Sequence, residues 1–355
     1  MRQLGHVASH VQYIPAPAHG IIATVAAHPT KALFKLCDYR YLIDKFRTLK
    51  RREYPDRHFD AFRDNNLCLY PSAYSSIDEL KSEPPDAEAY IVGSDQVWGF
   101  PFDDHNTEGW FLNFGSKDTR RISYAASIGR TLTEKEIPAF ARLISKLDYI
   151  SVREKSAKDL CARCGIESEV VLDPTLLLKA ADYEKLIKNE RTINPAESYI
   201  FAYILNVAFA KDLQWGQIRA YAESKQLPVV PVYSSGYYSQ YPIIPNVPAM
   251  YPSIPQWLSL VRNAQSVVTS SFHGTVLSIL FERPFLSILL PQSRGNRGGD
   301  RIETLLRSLG IEDRIFNPKL SFMKQMEAPI DWNLVRERLE VLRGQSLDFI
   351  RNSLS

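Results

Sequence analysis

From residue 89 onward, short apolar runs alternate with stretches of helical periodicity. The apolar runs are AYIVGS at 89–94, RRISYAASIG at 120–129, YISVRE at 149–154 and SEVVLDP at 168–174. Helical patterns lie between them, at residues 134–147 and 155–164. Apolar runs of this length, with little polar alternation, are typical of strands buried on both faces of a parallel sheet. The pattern therefore predicts βαβ units in the first half of the chain.

The same alternation begins again after the polar stretch KNERTINPAES at 188–198. Strand-like runs follow as SYIFAYIL, PVVPVY, SVVTS and PFLSILL, separated by helical patterns. Two such series predict an α/β protein of two Rossmann-like domains that face each other across a cleft, with ligands at the carboxyl ends of the strands. We predict an N-terminal domain over residues 1–188, a C-terminal domain over 189–330, and a C-terminal helix over 331–355 that packs back on the N-terminal domain.

Composition and charge narrow the class of protein. With 355 residues, a net charge of +3 and 23% charged residues, the chain is typical of globular proteins and has too small a positive surplus for a nucleic-acid partner. Four cysteines are too few for a disulfide framework, and the pair Cys161 and Cys164 has no second ligand pair to complete a zinc site. The longest apolar run near the start is far shorter than the roughly 20 residues that cross a bilayer. We expect a cytoplasmic protein without a bound metal or cofactor.

Residues 31–52 intersperse lysine and arginine with leucine and phenylalanine at helical spacing. One interpretation is a helix whose basic face is solvated while its apolar stripe covers the core. The other is contact with anionic lipid head groups near a membrane-bound substrate, which would place the protein at the inner face of a membrane. The sequence leaves both open.

The segment SVVTSSFHGTVLSILFERPF at 266–285 combines a buried strand with the start of an apolar helix. Ser270 and Ser271 stand where a helix N-cap belongs, so His273 falls in the first helical turn. Free backbone N–H groups and the helix dipole favour an anion there, and hydroxyl and imidazole groups can add hydrogen bonds to a phosphate. A histidine with a purely structural place at the helix start is the alternative.

A glycine- and arginine-rich loop follows the last apolar run, in PQSRGNRGGDRIETLL. Arg294, Arg297 and Arg301 carry guanidinium groups that pair bidentately with carboxylate or phosphate, and the glycines let the backbone close on a ligand. We predict Arg297 and Arg301 as donor-binding residues. A flexible surface loop would give the same composition.

The string IVGSDQVWGF places polar residues directly after a strand of the first half. Ser94, Gln96 and Trp98 are predicted to bind a sugar acceptor, and Asp95 to act on its hydroxyl, because carboxylate, amide and indole groups suit sugar hydroxyls and ring faces. The structural alternative is an aspartate that caps a helix and a tryptophan that fills the core.

Two further strand ends are predicted to face the same cleft. Ser127 ends one of them, and Arg153 followed by Glu154 ends the next. Arg153 is a ligand-binding candidate, since an unpaired guanidinium there would otherwise need a buried partner such as Glu154 or Asp173. Asp173, which precedes a proline, is predicted as a turn or hinge residue.

Taken in order, several strings of the chain resemble the polysaccharide pyruvyl transferase family. The strings are IVGSDQVW, SYAASIG, SVREKSA, VVLDPTLLL, YPSIPQWLSLVRNAQSVVTSSFHGTVLSILFERPF and RIETLLRSLGIEDR. They spread over roughly residues 85–315, and their order makes the resemblance more specific than any single one of them. The resemblance implies two Rossmann-like domains in a glycosyltransferase-B-like arrangement, phosphoenolpyruvate as donor, a sugar as acceptor and no metal.

The resemblance also assigns residues. Arg153 matches the arginine of the family's V-R-E/D motif and His273 the histidine of its F/L-H-G motif, so both are expected in the donor site. Many members have Arg-Leu-His where this chain has Ser271-Phe272-His273, and Arg301 or Arg297 is expected to supply the missing charge. Members usually open with a strand and a glycine- or asparagine-containing loop. This chain opens at RQLGHVASHVQYIP, which resembles the end of the first helix and the second strand, so we expect the first strand to be missing.

These expectations combine into one hypothesis about the reaction. Pyruvate is moved from phosphoenolpyruvate onto two hydroxyls of a sugar, in a surface polysaccharide or its lipid-linked precursor, as a ketal. His273 serves as acid or phosphate stabiliser, Arg153 and Arg301 hold the carboxylate and phosphate, and Asp95 orients or deprotonates a hydroxyl. Two alternatives stay open: a glycosyltransferase that uses a nucleotide sugar, and an inactive glycan-binding homologue.

Overall fold

The computed structural model describes residues 1–15, 57–102, 104–188, 193, 196–205, 215–233, 250–289 and 299–355. The basic segment 31–52 and the loop arginines Arg294 and Arg297 lie outside these residues. The predictions made for them therefore remain predictions.

The described residues form ten strands and twelve α-helices. The strands are β1 (His10–Tyr13), β2 (Leu69–Tyr74), β3 (Ala89–Val92), β4 (Arg120–Ala126), β5 (Tyr149–Val152), β6 (Glu169–Val170), β7 (Ile200–Ile204), β8 (Val229–Tyr233), β9 (Ser266–Thr269) and β10 (Phe285–Ser287). The helices are α1 (Phe59–Asn66), α2 (Ile77–Ser82), α3 (Ile137–Ile144), α4 (Lys155–Arg163), α5 (Pro174–Leu177), α6 (Ala180–Ile187), α7 (Trp215–Lys225), α8 (Ile254–Asn263), α9 (Phe272–Leu280), α10 (Asp300–Leu309), α11 (Phe322–Glu327) and α12 (Trp332–Leu354). Short 3₁₀ turns lie at Arg2–Leu4, His105–Phe111 and Glu312–Arg314.

The strands pair in parallel in three sheets. One four-stranded sheet has the order β3-β4-β5-β6, and the other has the order β10-β9-β7-β8. Strands β1 and β2 form a separate parallel pair. Parallel neighbours need crossover connections, and helices such as α3 and α4 supply them, so the predicted βαβ units and the α/β class are confirmed.

Helix α9 shows how the second sheet buries its strands. All residues of α9 except His273 are buried, and every residue of the neighbouring strand β9 is buried as well. The helix begins at Ser271, whose hydroxyl accepts a hydrogen bond from the Gly274 N–H at 3.3 Å. A helix that is apolar nearly all round belongs inside a protein. His273, the one residue of α9 that is not fully buried, therefore lies at the edge of the core.

Helix α12 contacts both halves of the chain. Near its start, Val335 and Leu339 join the core of the second half. Near its end, Phe349 and Ile350 pack against Ile122 of β4 and its neighbours. Among the residues described, no helix has the length and apolar character needed to cross a membrane.

Candidate functional site

The candidate site lies where the carboxyl ends of β3, β4 and β5 meet the amino ends of α9 and α10. Ligands of parallel α/β sheets bind at this edge, because the loops there project away from the sheet. The following residues are joined there by hydrogen bonds, ion pairs or ring contacts: Ser94, Asp95, Arg153, Asp173, Phe272 and Arg301.

The loop after β3 is shaped by a close approach of two backbones. Gly93 has φ +135, and a Cβ at this position would lie 2.0 Å from the Tyr124 carbonyl oxygen in β4. Only glycine fits this position. Two backbone N–H groups, of Val97 and Ser127, then donate to the Asp95 carbonyl oxygen at 2.9 Å each. The backbone of Asp95 is thereby fixed at the strand end.

Arg153 and Asp173 form a buried ion pair beneath this loop. A guanidinium nitrogen of Arg153 lies 2.6 Å from Asp173 Oδ2, and the two side chains are 2% and 0% exposed. Ser94 Oγ donates to the same carboxylate at 3.1 Å. Burial alone would raise the pKa of Asp173, but the charge of Arg153 and smaller influences, among them the hydrogen bonds from Thr175, together outweigh it and the pKa is lowered. Asp173 therefore stays ionised, as a buried partner of Arg153 as well as a turn residue.

Asp95 is the point where two arginines converge. Nη2 of Arg153 and Nη1 of Arg301 both donate to Asp95 Oδ1, each at 3.0 Å. The Asp95 side chain is nevertheless 66% exposed. Partial burial opposes ionisation, but hydrogen bonding and charge from Arg153, followed by the charge of Arg301, lower its pKa. A solvent-accessible carboxylate thus occupies the place where two guanidinium groups meet.

The two guanidinium groups also share an aromatic neighbour. The Arg153 and Arg301 Cζ atoms lie 4.7 and 5.8 Å from the centroid of the Phe272 ring. Both Nε atoms are buried and have no hydrogen-bond partner. Buried donors without partners are uncommon in folded proteins, and they cost free energy until something accepts from them. The arrangement can therefore donate hydrogen bonds to a negatively charged ligand and balance its charge.

His273 lies in the first turn of α9, close to this cluster. Burial is the main reason that its pKa is lowered below 6.5, with the positive charges of Arg153 and Arg301 acting in the same direction and Asp173 opposing them. At neutral pH the imidazole is therefore uncharged. A neutral imidazole can donate or accept a hydrogen bond or take up a proton, but it is a weak source of protons.

Ser270 and Ser271 need a correction. Ser270 Oγ donates to the Leu205 carbonyl oxygen at 3.0 Å and accepts from the Leu205 N–H at 2.7 Å. Ser271 is buried, and its hydroxyl caps α9. Both hydroxyls are engaged by the backbone, so the prediction that they bind the donor phosphate is wrong in this structure. They hold the amino end of α9 in place instead.

Trp98 needs a correction as well. Its ring is 0% exposed, its Nε1 donates to the Trp110 carbonyl oxygen at 3.1 Å, and it stacks on Phe111 with ring centroids 5.3 Å apart. The indole faces are covered by protein, so the predicted contact with a sugar ring is wrong and the core-filling alternative is right. Gln96, by contrast, is exposed on the same loop.

An exposed aromatic residue that the sequence analysis missed lies on this loop. Phe100 is 46% exposed and stacks on Trp110, with ring centroids 5.6 Å apart and planes 18° from parallel. Arg130 fixes the loop, because its guanidinium donates to the carbonyl oxygens of Gly99 and Phe100. The sequence feature that could have identified Phe100 is the presence of a second aromatic residue two positions after Trp98.

Glu154 was considered only as a partner for Arg153, and the structure gives it other contacts. Its Oε1 accepts from Ser127 Oγ at 2.9 Å and from the Ile128 N–H at 3.0 Å. Its Oε2 is buried without a partner. Ser127, predicted at a strand end facing the cleft, thus lies at that end and binds this carboxylate. Within the described ranges, no group of three histidine, cysteine or acidic side chains is arranged to hold a metal ion.

The sequence matches the family model for polysaccharide pyruvyl transferase over residues 18–290. The chain belongs to this family. Its activity is accordingly that of a transferase, and a polysaccharide acceptor is implied. A search of curated proteins found no match.

Solved structures with a similar fold include two epimerases and a glycosyltransferase. The UDP-GlcNAc 2-epimerase of Methanocaldococcus jannaschii, in complex with UDP-GlcNAc and UDP, is 15% identical, with 79% of this chain and 89% of that chain covered and a TM-score of 0.43. The UDP-N-acetylglucosamine 2-epimerase of Rickettsia bellii is 11% identical over 77% of each chain, with a TM-score of 0.38. A glycosyltransferase of Streptomyces nogalater is 12% identical over 66% of each chain, with a TM-score of 0.33. Likeness at this level concerns the fold and says nothing about activity.

Proposed function

We propose that the protein transfers pyruvate from phosphoenolpyruvate to two hydroxyls of one sugar unit and forms a cyclic ketal. The acceptor in this proposal is a surface polysaccharide or its lipid-linked precursor, and the reaction takes place in the cytoplasm. Family membership supports the transfer of a pyruvyl group. The contacts of Arg153 and Arg301 support an anionic donor with more than one acidic group.

One observation carries the proposal: Arg153 and Arg301 both donate to a single, solvent-accessible carboxylate oxygen of Asp95. With Asp95 and Asp173 ionised, the two arginine charges are balanced before a ligand binds. A ligand carboxylate or phosphate that takes the place of Asp95 restores this balance and frees the aspartate. Phosphoenolpyruvate has both anionic groups on one small molecule, so it can engage both guanidinium forks at once.

The released Asp95 has a role on the acceptor side in this proposal. Its pKa is lowered, so it is ionised at neutral pH and accepts a hydrogen bond from a sugar hydroxyl. That bond orients the hydroxyl oxygen towards the carbon that carries the phosphate. His273, which is neutral, donates a hydrogen bond to the phosphate oxygen or accepts the proton that a hydroxyl loses.

The loop at 93–102 provides further contacts for the acceptor. Gln96 is exposed and offers an amide to hydroxyl groups. Phe100 offers an aromatic face, held by stacking on Trp110, to the apolar face of a sugar ring. Phe100 and Asp95 are five residues apart on the chain, which limits their Cα separation to about 18 Å. We propose that Phe100 and Gln96 contact sugar units beside the one that receives pyruvate.

The test is phosphate release from phosphoenolpyruvate with a panel of galactose-, mannose- and glucose-terminated acceptors. We expect release that depends on one class of acceptor and a product whose mass increases by one pyruvyl ketal. A thermal-shift comparison tests the donor independently. Stabilisation by a nucleoside diphosphate, with none by phosphoenolpyruvate, would favour a nucleotide-sugar glycosyltransferase, and sugar binding without phosphate release would favour a glycan-binding protein.

A further inference from the structure

Ketal formation from phosphoenolpyruvate needs a proton donor at the methylene carbon. The CH₂ group becomes a methyl group in the product, so a new C–H bond forms. His273 is unsuited to this step because its lowered pKa leaves it uncharged at neutral pH. The other titratable groups that contact the arginine cluster, Asp95 and Asp173, have lowered pKa values and hold no proton. A different acid is therefore required.

Glu154 is a buried carboxyl group beside the cluster. It follows Arg153 directly at the end of β5, and it is 2% exposed. It stands at the N-cap position of α4, yet its side chain makes no capping hydrogen bond to that helix. The side chain instead reaches the end of β4, where Oε1 accepts from Ser127 and Ile128. The position of the residue therefore does not serve the ordinary purpose of an acidic N-cap.

The two oxygens of Glu154 are in different surroundings. Oε1 has two donors, and Oε2 is buried with none. A carboxylate would leave a charged oxygen without a partner, which is costly in a protein interior. A protonated carboxyl fits the same contacts, because Oε1 acts as the carbonyl acceptor and Oε2–H is a donor that awaits an acceptor.

The electrostatics of the surroundings agree with protonation. Burial is the largest influence on the pKa of Glu154 and raises it, and the hydrogen bonds from Ile128 and Ser127 and the charges of Arg153 and Arg301 offset this only in part. Cys161 of α4 is close enough to Glu154 to interact with it electrostatically. Burial raises the pKa of its thiol to about 11, so Cys161 carries no charge at neutral pH. A carboxylic acid that burial keeps neutral is a recognised way to hold a proton for catalysis.

We propose that Glu154 is a catalytic residue that delivers the proton to the methylene carbon of phosphoenolpyruvate, an inference that rests on the proposed function. The Oε2–H bond breaks as the C3–H bond forms, and C2 becomes an oxocarbenium carbon that the first sugar hydroxyl attacks. The proton from that hydroxyl returns to Glu154 through His273 or solvent. The second hydroxyl then replaces phosphate at C2, and its proton leaves with the phosphate.

The first test is the Glu154→Gln variant, which keeps an acceptor for Ser127 and Ile128 and removes the transferable proton. We expect phosphate release to fall by about 10²- to 10⁴-fold, the usual contribution of a general acid. Binding of phosphoenolpyruvate, measured by calorimetry, should stay within about threefold, since charge and shape are kept. The matched control is Glu340→Gln, which should retain full turnover. Glu340 lies in α12, far along the chain from the cluster, and pairs with Arg343.

The second test is independent of turnover and uses the pH dependence of stability. The pKa of Glu154 is raised on folding, so its contribution to stability is complete below the pKa of an unfolded glutamate and is lost as pH rises through the folded value. The melting temperature of the wild type should therefore fall with rising pH in this window more steeply than that of Glu154→Gln. Identical pH profiles would show that Glu154 is ionised and would overturn the inference.

The outcomes separate this inference from the proposed function. A wild-type protein that releases no phosphate with any acceptor would overturn the proposed function. Wild-type turnover that Glu154→Gln retains would overturn the role of Glu154 and leave the proposed function intact. If the variant loses turnover together with donor binding, Glu154 supports the site's structure and is not the acid.

Discussion

Arg301 of α10 donates a hydrogen bond to Asp95 at the end of β3, and this contact joins residues 206 positions apart in sequence. Two neighbouring contacts support it: Ser156 of α4 binds the Asp300 carboxylate, and the Lys155 N–H donates to Thr304 Oγ1 at 3.3 Å. Helix α10 is thereby docked on α4, beside Arg153. Arg153 follows β5 in the first half of the chain and Arg301 lies in α10 in the second half, so this cluster forms only when both halves of the chain are in contact.

The first prediction concerns the Asp95 carboxylate in this cluster. Asp95→Asn removes a negative charge that competes with a bound anion for Arg153 and Arg301. We expect inorganic phosphate and phosphoenolpyruvate to bind about tenfold more tightly, equivalent to about 1.4 kcal/mol, while turnover falls because the hydroxyl is no longer oriented. Isothermal titration calorimetry measures the affinity. Asp86→Asn removes an exposed carboxylate elsewhere and should bind as the wild type does; weaker binding by Asp95→Asn would contradict the competition.

The second prediction concerns the buried pair of Arg153 and Asp173. Arg153→Met leaves the Asp173 carboxylate buried without its counter-charge, which should cost about 3–5 kcal/mol of unfolding free energy. Adding Asp173→Asn to this variant should recover part of the loss, because the uncompensated charge is gone. Urea denaturation measures both. Arg301→Met serves for comparison. Its partner Asp95 is solvent-accessible, so we expect a loss of unfolding free energy below about 1 kcal/mol. Equal losses for the two arginine variants would refute this distinction.

The sequence was sufficient to predict the α/β architecture and the placement of Asp95 and Arg153 at one edge of a sheet. Continuous apolar runs at β3, β4, β5 and β9 identified parallel strands, because burial on both faces removes polar alternation. Strand ends of a parallel sheet share one edge, so Asp95 and Arg153 could be placed together before their contact was known. Glu154 and Asp173 were both named as partners that Arg153 would need if it bound no ligand, and the structure pairs it with Asp173.

The remaining features depend on side-chain directions, which a sequence pattern does not fix. Trp98 and Phe100 are both aromatic and two residues apart, yet a turn through Gly99 sends Trp98 into the core and leaves Phe100 exposed. The hydroxyls of Ser270 and Ser271 suited a phosphate, but backbone groups nearby competed for them, as they commonly do for serine at helix starts. The protonation of Glu154 depends on burial and on which of its oxygens has a partner, and neither is encoded locally.

The third prediction tests the acceptor contact proposed for Phe100. Phe100→Ala removes the exposed ring face while Trp110 remains. We expect KM for an oligosaccharide acceptor to rise several-fold, in line with about 0.5–1.5 kcal/mol for an aromatic contact, with KM for phosphoenolpyruvate unchanged. Steady-state kinetics measures both constants, with the acceptor varied at saturating phosphoenolpyruvate and phosphoenolpyruvate varied at saturating acceptor. Leu320→Ala, which truncates an exposed apolar residue elsewhere, should change neither constant; an unchanged acceptor KM in Phe100→Ala would exclude this platform.

The fourth prediction follows from the lowered pKa of His273. A histidine that is buried in its neutral form contributes stability that is complete above about pH 6.5 and is lost as pH falls below that value, because the unfolded chain binds the proton more readily. His273→Gln should flatten the melting-temperature profile between about pH 5 and 7. The same variant should release phosphate from phosphoenolpyruvate more slowly at pH 7.5. Unchanged release would remove His273 from the proposed reaction.

The fifth prediction concerns Gly93, which sets the position of Asp95. A Cβ at this residue would lie 2.0 Å from the Tyr124 carbonyl oxygen, and this neighbour is backbone, so it cannot move aside as a flexible side chain would. The backbone angle φ of +135 adds strain for any residue other than glycine. Gly93→Ala should therefore lower the melting temperature strongly and abolish the anion affinity, because either β4 or the Asp95 loop must shift.

Gly344 gives the matched control for this substitution. It lies inside α12, and a Cβ there would meet no atom within 4 Å. Gly344→Ala should stabilise the protein by about 0.5–1 kcal/mol, since alanine loses less backbone entropy than glycine in a helix. The two variants add the same methyl group, and we expect opposite effects on stability. A general effect of replacing glycine by alanine therefore cannot explain both results. A fully stable Gly93→Ala variant with unchanged phosphate affinity would show that the loop adapts, and the position of Asp95 would then depend on Arg153 and Arg301 rather than on the approach of the two backbones.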